Sequence, residues 1–153
     1  MCLISKNKPE RAREDITVWK VLTNDFEAPI FDKKYHLGTN FAQGLFGEYT
    51  RSPSTGYHCY GSNWLHACRT KDGATSQYLA LMSHKPFDYI LVEVKIPRGT
   101  KYCVGVNDEV CARKFKIEKD SEVYFFNGEK LVGPFQAKDV FSGAVNENNL
   151  NVE

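Results

Sequence analysis

The sequence predicts one α+β domain, built mostly from antiparallel β-strands, with one principal helix at about residues 71–83 packed on the sheet. Three observations support this class. Ten Phe, eight Tyr and two Trp favour strands over a helical bundle. Short apolar segments alternate with turn signals along the chain, and one segment has helical spacing. The length of 153 residues suits a single domain with its own hydrophobic core.

The first predicted strand covers residues 16–22, a β-rich segment that ends at turn residues 23–25. Two extended segments, residues 56–60 and 64–68, lie on either side of a turn at residues 61–63. These segments precede the predicted helix and supply most of the candidate functional residues.

The predicted helix begins after Thr70, whose hydroxyl can cap its first turn, and it ends before Pro86. Its apolar positions follow the spacing i, i+4, i+7 and i+8: Ala74, Tyr78, Leu81 and Met82. This spacing places one apolar face against the sheet.

Strands dominate the second half of the sequence. Residues 89–96 alternate apolar and charged side chains, and two hairpins are predicted about Asn107-Asp108 and Asn127-Gly128. Asn-Gly is the stronger hairpin signal, because both residues accept the positive φ of a type I′ turn. Residues 135–145 are predicted to contain a short terminal helix.

Three regions differ in composition. Residues 1–14 are expected to form a basic arm, residues 15–145 the single domain and residues 146–153 a polar tail. The tail is rich in asparagine, and its apolar residues are Leu150 and Val152. Such a tail buries little surface, so we expect a second chain to hold it, with these two residues as anchors.

Composition and charge disfavour several function classes. With 20 Lys and Arg against 19 Asp and Glu, the formal charge is +1, so nucleic-acid binding is not expected. No apolar run is long enough for a signal peptide or a membrane span, so we expect no membrane association and a location in the cytoplasm of a host cell or in a virion. The five Cys are expected to be reduced thiols.

Several segments carry a resemblance to a known family. They are residues 1–5 (MCLIS), 16–22 (ITVWKVL), 35–38 (YHLG), 56–58 (GYH), 65–68 (LHAC), 92–100 (VEVKIPRGT) and 110–115 (VCARKF). Together they resemble a family of small uncharacterised proteins encoded by gut bacteria and their phages. The resemblance covers about residues 1–118. It implies a fold and an origin, and no activity.

The histidines and cysteines at residues 58–68 are the candidate metal ligands, and we predict that they bind no metal. No Cys-x-x-Cys pair occurs, and His58 and Cys59 are neighbours that would point to opposite faces of a strand. His66 and Cys68 share a face and form a candidate nucleophile pair, although Cys68 suits a core position equally well.

The leading hypothesis is a non-enzymatic, phage-encoded protein-interaction module, either virion-associated or directed at a host protein. It needs no cofactor, and its partner is another protein chain or a second copy. Its candidate binding residues are the two tail anchors and three aromatic side chains: Leu150, Val152, Tyr57, Tyr60 and Trp64.

The alternative is a small enzyme, because the order of the segments also resembles that of ADP-ribosyltransferases. That resemblance implies NAD or a related nucleotide as cosubstrate and Lys20, His66 and Glu109 as catalytic residues. The first strand carries Lys20 where the family has arginine or histidine, and no Ser-Thr-Ser motif is present. The alternative requires these three side chains to converge on one cleft.

Overall fold

The structure is a computed structural model that describes residues 3–29, 33–44, 49–79, 88–128 and 130–150, with only the backbone at residues 77–79. In this part of the chain the fold is mostly antiparallel β-sheet with two short helices. The strands are β1 (Leu3–Ser5), β2 (Glu10–Arg11), β3 (Ile16–Thr23), β4 (Gly38–Phe41), β5 (Tyr49–Arg51), β6 (His58–Tyr60), β7 (Leu65–Cys68), β8 (Tyr89–Ile96), β9 (Lys101–Val104), β10 (Glu109–Ala112), β11 (Lys114–Ile117), β12 (Glu122–Asn127) and β13 (Lys130–Gln136). The helices are α1 (Lys71–Leu79) and α2 (Ala137–Phe141).

The larger sheet follows the order β13-β12-β8-β3-β7-β10-β9-β2, and β11 pairs with both β4 and β8. Only Arg113 separates β10 from β11, so one bent segment lies beside β7 at its start and beside β8 further on. The path β8-β3-β7-β10 therefore returns to β8 through β11. These strands surround the largest group of buried side chains, and we call the face toward this core the inner face.

Strand β8 shows why the sequence folds in this way. Val92, Val94 and Ile96 are fully buried in the core, whereas Glu93 and Lys95 alternate with them and are half-buried. The predicted alternation is confirmed, and so is the pairing of both predicted hairpins, β9-β10 and β12-β13. The predicted type I′ turn at Asn127-Gly128 needs correction, because Asn127 pairs with Lys130 in the ladder and Gly128, with a φ of 64°, follows it.

The basic arm expected at residues 1–14 needs correction, because the described part of it belongs to the fold. β1 pairs with β6 in a separate three-stranded sheet of order β1-β6-β5, and β2 pairs with β9 at the edge of the larger sheet. Leu3 is fully buried and Ala12 is 3% exposed. Burial of these two apolar side chains holds the segment against the domain.

Helix α1 begins where the sequence predicts. The Thr70 hydroxyl accepts a hydrogen bond from the Gly73 backbone N–H at 3.0 Å and so caps the first turn. Ala74 is fully buried against β3 and β7, as expected. The side chain of Tyr78, and all of Leu81, Met82 and Pro86, lie outside the described residues, so the predicted continuation to residue 83 stays a prediction.

The C-terminal segment folds back on the domain. The terminal helix is shorter than predicted, because β13 runs as far as Gln136 before α2 begins. In the tail, the Asn146 side chain donates to the Gly143 carbonyl at 3.0 Å, and that of Asn149 donates to the Ala144 carbonyl at 2.9 Å. Asparagine side chains thus replace backbone partners after the helix.

Candidate functional site

Strand β3 places a lysine inside the core. Val18, Lys20 and Leu22 alternate with outward residues and project from the inner face. Opposite Lys20 in the ladder is Val92 of β8. Lys20 is only 4% exposed, which is rare for a lysine unless its ammonium group has polar partners.

A small cavity surrounds the end of this side chain. The Lys20 ammonium donates to the backbone carbonyl of His66 at 2.6 Å, and its Nζ lies 5.7 Å from the centre of the Tyr35 ring. The cavity has a volume of about 20 Å³ and is lined by Lys20, Ala28, Lys33, Tyr35, Gln43, Ser62, Trp64, Leu65 and His66. We call it the Lys20 cavity.

Burial shifts the protonation equilibria of two groups at the Lys20 cavity. It lowers the pKa of Lys20 to about 8, a shift that Cys68 opposes in part. It also lowers the pKa of His66 to about 4; the hydrogen bond to Gly61 opposes this shift and the charge of Lys20 adds to it. Because the Gly61 carbonyl only accepts, Nε2 of neutral His66 donates to it, at 2.7 Å. At neutral pH a buried ammonium group therefore lies beside a neutral imidazole.

The third catalytic residue of the enzyme hypothesis lies on the other face of the sheet. Trp19, Cys68 and Glu109 are successive partners across β3, β7 and β10, so their side chains share one face. Lys20 is the next residue after Trp19 and points to the opposite face. His66, two residues before Cys68, has its side chain on the Cys68 face, and Lys20 contacts only its backbone carbonyl. The structure thus separates the Lys20 side chain from those of His66 and Glu109, whereas the hypothesis requires one cleft for all three.

The outer face carries a second lysine beside aromatic rings. Lys71, in the first turn of α1, donates to the Tyr124 hydroxyl at 3.1 Å, and its Nζ lies 4.5 Å from the Tyr124 ring centre and 5.3 Å from that of Trp19. The hydrogen bond to Tyr124 raises the pKa of Lys71. On the same face, burial raises the pKa of Cys68 to about 12, with Asp108 and Glu109 adding to it. A thiol so protonated is a poor nucleophile, which does not favour the His66–Cys68 pair.

Two of the aromatic binding candidates need correction. Tyr60 is fully buried and Trp64 is 2% exposed, and their rings pack edge to face with centres 5.2 Å apart. Both belong to a buried cluster between the three-stranded sheet and strands β9 and β10, and they are therefore core residues. Tyr57 is half-buried, with Lys6 Nζ at 5.3 Å from its ring centre.

The two predicted tail anchors, Leu150 and Val152, differ in whether the structure describes them. Leu150 is half-buried against the main core of its own domain, so part of its surface is already covered. Val152 lies outside the described residues. An intermolecular role for either residue stays a prediction.

The outer face of the three-stranded sheet is the second candidate site. Ile4 is 43% exposed and Val106 is 54% exposed, and the Val106 backbone N–H donates to the Ile4 carbonyl at 2.9 Å. Cys59 lies directly opposite Ile4 in the ladder, and Thr50 lies directly opposite Cys59. Ile4, Cys59 and Thr50 share one face of this sheet, and Val106 of the β9-β10 turn adjoins Ile4 through the backbone bond. We call these four uncharged residues the Ile4 surface.

Metal and membrane features give negative findings within the described ranges. No group of three or more potential metal ligands occurs among the described residues, and no helix there is long and apolar enough to cross a membrane. Comparison with protein-family models, curated proteins and solved structures finds no match.

Sequence reasoning found Lys20 and His66 but missed Tyr35, Lys33 and the cavity they share. The available signal was a lysine within an otherwise apolar strand. The position of Tyr35 beside Lys20 depends on a backbone hydrogen bond from the Tyr35 N–H to the Phe26 carbonyl, nine residues earlier. The sequence has no local signal for this bond.

Proposed function

We propose that the chain is a non-enzymatic protein-interaction module that binds a second copy of itself through the Ile4 surface. One observation carries the proposal: Ile4 of β1 and Val106 of the β9-β10 turn are both large, apolar and exposed, and a backbone hydrogen bond joins the two segments. Exposed apolar residues are unremarkable when scattered, whereas contiguous ones mark contact sites. Leu3 and Ser5 are buried on either side of Ile4 and fix its outward direction.

Charge supports a second copy as the occupant. The four side chains of the Ile4 surface are uncharged, which suits contact with an identical uncharged surface across a twofold axis, and the exposed Lys6 lies at its edge beside Tyr57. The other exposed large apolar residue of the described chain, Phe41, differs in this respect. Lys114 Nζ lies 5.7 Å from its ring centre, and a symmetric contact there would bring two lysines together.

The size of the surface sets the expected strength. Four residues account for much less area than the roughly 800 Å² per partner of a standard interface, so the association should be weak. We expect a dissociation constant on the order of 10–100 μM, which is about 5–7 kcal/mol of binding free energy.

Sedimentation velocity over a concentration series tests the proposal, with Phe41→Lys as the matched control. Ile4→Lys places a charge at the centre of the twofold contact and should weaken dimerisation by about tenfold or more. Phe41→Lys adds the same charge at a site of similar exposure and should leave dimerisation unchanged. A wild type that stays monomeric well above the expected dissociation constant contradicts the proposal, as does equal weakening by both variants.

A further inference from the structure

Strand β4 lies at an open edge of the larger sheet. Within the described residues it pairs with β11 alone, on one of its two sides. The Ala42 N–H, just after β4, donates to the carbonyl of Arg113, just before β11, at 2.9 Å. Backbone groups point alternately to the two sides of a strand, so the N–H and C=O groups of Thr39 and Phe41 point away from β11. Such groups can pair with a further strand.

The outer face of this edge combines an aromatic ring with two cations. Phe41 is 56% exposed. Lys114 lies directly opposite Phe41 in the ladder and Lys116 directly opposite Thr39, so these side chains share one face. Lys114 Nζ lies 5.7 Å from the Phe41 ring centre, which places its ammonium group across β4, toward the open edge.

Charge at this edge favours an acidic ligand. Lys114 and Lys116 are both exposed, and neither forms an ion pair with a carboxylate of the described residues. Glu118, which follows β11, pairs with Lys95 at 2.8 Å. A second copy of β4 would bring like charges together, whereas a segment that contains Asp or Glu brings the opposite charge.

The two ends of the larger sheet are less suited to strand addition. At one end, β2 has only two residues. At the other end, β13 contains Pro134, which has no backbone N–H, and its register against β12 shifts between Val123 and Phe125. Short, irregular and proline-containing edges discourage pairing with another chain. By contrast, β4 has four residues in regular register and no proline.

We propose that the open edge of β4 binds an extended acidic peptide segment of a partner protein by antiparallel strand addition. Peptide residues opposite Thr39 and Phe41 exchange backbone hydrogen bonds with them, and their side chains lie on the outer face. An acidic side chain opposite Phe41 meets the Lys114 ammonium group there. The proposal does not rest on self-association, because β4 and the Ile4 surface share no residue.

Fluorescence polarisation with a synthetic peptide tests the proposal. The probe is a short fluorescein-labelled peptide of alternating Glu and Thr, which should bind the wild type saturably. The same peptide with Lys in place of Glu should bind about tenfold or more weakly. A labelled oligothymidylate of equal net charge is the third arm. Absence of saturable binding by the Glu–Thr peptide overturns the proposal, and so does equal binding by either comparison probe.

Methylation of the peptide backbone separates strand addition from charge attraction alone. In antiparallel addition with Glu on the outer face, the Glu N–H groups point toward β4 and the Thr N–H groups point away. N-methylation of every Glu should weaken binding by about tenfold or more, and N-methylation of every Thr should leave it unchanged. Equal binding by the two methylated peptides overturns the proposal, as does a loss confined to the Thr-methylated peptide.

A matched pair of variants locates the binding site on the protein. Lys114→Glu reverses the charge beside Phe41 and should weaken binding of the Glu–Thr peptide by about tenfold or more. Lys130→Glu makes the same change at an exposed lysine of the edge strand β13 and should keep the wild-type affinity. Both side chains are exposed, so both variants should fold. Equal affinity of the two variants for the peptide overturns the proposal.

Discussion

The two lysine–aromatic sites lie on opposite faces of the same sheet and behave in opposite ways. On the inner face, Lys20 Nζ lies 5.7 Å from the Tyr35 ring centre, and burial lowers its pKa to about 8. On the outer face, Lys71 lies between Trp19 and Tyr124, and the hydrogen bond to Tyr124 raises its pKa. Each lysine meets an aromatic ring and donates one hydrogen bond.

Solvent access outweighs the aromatic contact and the hydrogen bond in setting the charge state of each lysine. A cation–π contact contributes about 0.5–2 kcal/mol, and a charged hydrogen bond about 1.5–3 kcal/mol. At Lys71 such contacts determine the direction of the pKa shift. At Lys20 the loss of hydration exceeds them, and the protonated form is disfavoured. Burial of the inner lysine is therefore costly for stability.

Trp64→Ala should have the largest effect on stability, because Trp64 is a large buried side chain that lines the Lys20 cavity. Removing a fully buried tryptophan should cost about 3–5 kcal/mol in the free energy of unfolding. Trp19→Ala, which removes the half-buried ring beside Lys71, should cost about 1–2 kcal/mol. Urea denaturation measures both. A larger loss of stability in Trp19→Ala than in Trp64→Ala would contradict this prediction.

Acid titration tests the neutral imidazole of His66. The pKa of His66 is lowered from 6.5 to about 4, so below pH 6.5 the unfolded chain binds a proton that the folded chain does not. The wild type should therefore lose about 3 kcal/mol of stability as the pH falls from 6.5 to 4. In His66→Gln, whose amide can still donate to the Gly61 carbonyl, this part of the loss should be missing. An identical pH profile for the variant would show that His66 is not the group responsible.

Lys20→Met should stabilise the protein, because it removes the desolvation cost that lowers the pKa of Lys20 while it retains an apolar stem. The expected gain at pH 7 is about 1–3 kcal/mol. The pKa of Lys20 is lowered from 10.5 to about 8, so the gain is largest below pH 8. It shrinks as the pH rises from 8 to 10.5, where the folded wild type releases the proton before the unfolded chain does.

Lys71→Met is the matched control for that experiment. It should change stability by no more than about 0.5 kcal/mol, as ordinary surface changes do. A loss of stability in Lys20→Met that is equal at pH 7 and pH 10 would mean that Lys20 stabilises the fold through packing and hydrogen bonding alone.

Apart from the Lys71→Met control, Gly73→Ala should have the smallest effect on stability, and it tests how Asp108 holds the first turn of α1. An exposed helical Gly→Ala change usually stabilises by about 0.5–1 kcal/mol. Here the added methyl group would overlap the Asp108 carboxylate, which accepts hydrogen bonds from the Thr70 N–H at 3.0 Å and the Thr70 hydroxyl at 2.6 Å. The variant should lose about 1 kcal/mol, measured by urea denaturation. A gain in stability would show that the Asp108 side chain moves away from the added methyl group while the first turn of α1, which contains Lys71, stays intact.

Local chemistry explains which parts of the fold the sequence predicts. The pairing of β12 with β13 and the helix start after Thr70 depend on neighbouring residues, and both are confirmed, although the turn begins one residue later than predicted. The first predicted strand, residues 16–22, is confirmed as β3 (Ile16–Thr23), in which Lys20 alternates with Val18 and Leu22.

The Lys20 cavity was less predictable because it depends on register and loop closure. The separation of Lys20 from Glu109 follows from the pairing of Trp19 with Cys68, and a shift of one residue would exchange the faces. The loop that brings Tyr35 to Lys20 turns at Phe26, whose φ of 67° is in the left-handed region that favours glycine. The sequence has no signal for a phenylalanine in that conformation.

An NMR titration of the two lysine side chains, followed at Cε and Nζ, measures how far burial separates their pKa values. Lys20 should titrate near pH 8, because its ammonium group is desolvated. It predicts that Lys71 titrates above the ordinary lysine value of 10.5, because Tyr124 favours its charged form. A Lys20 that titrates at or above 10.5, together with Lys71, would contradict the claim that burial sets the two sites apart.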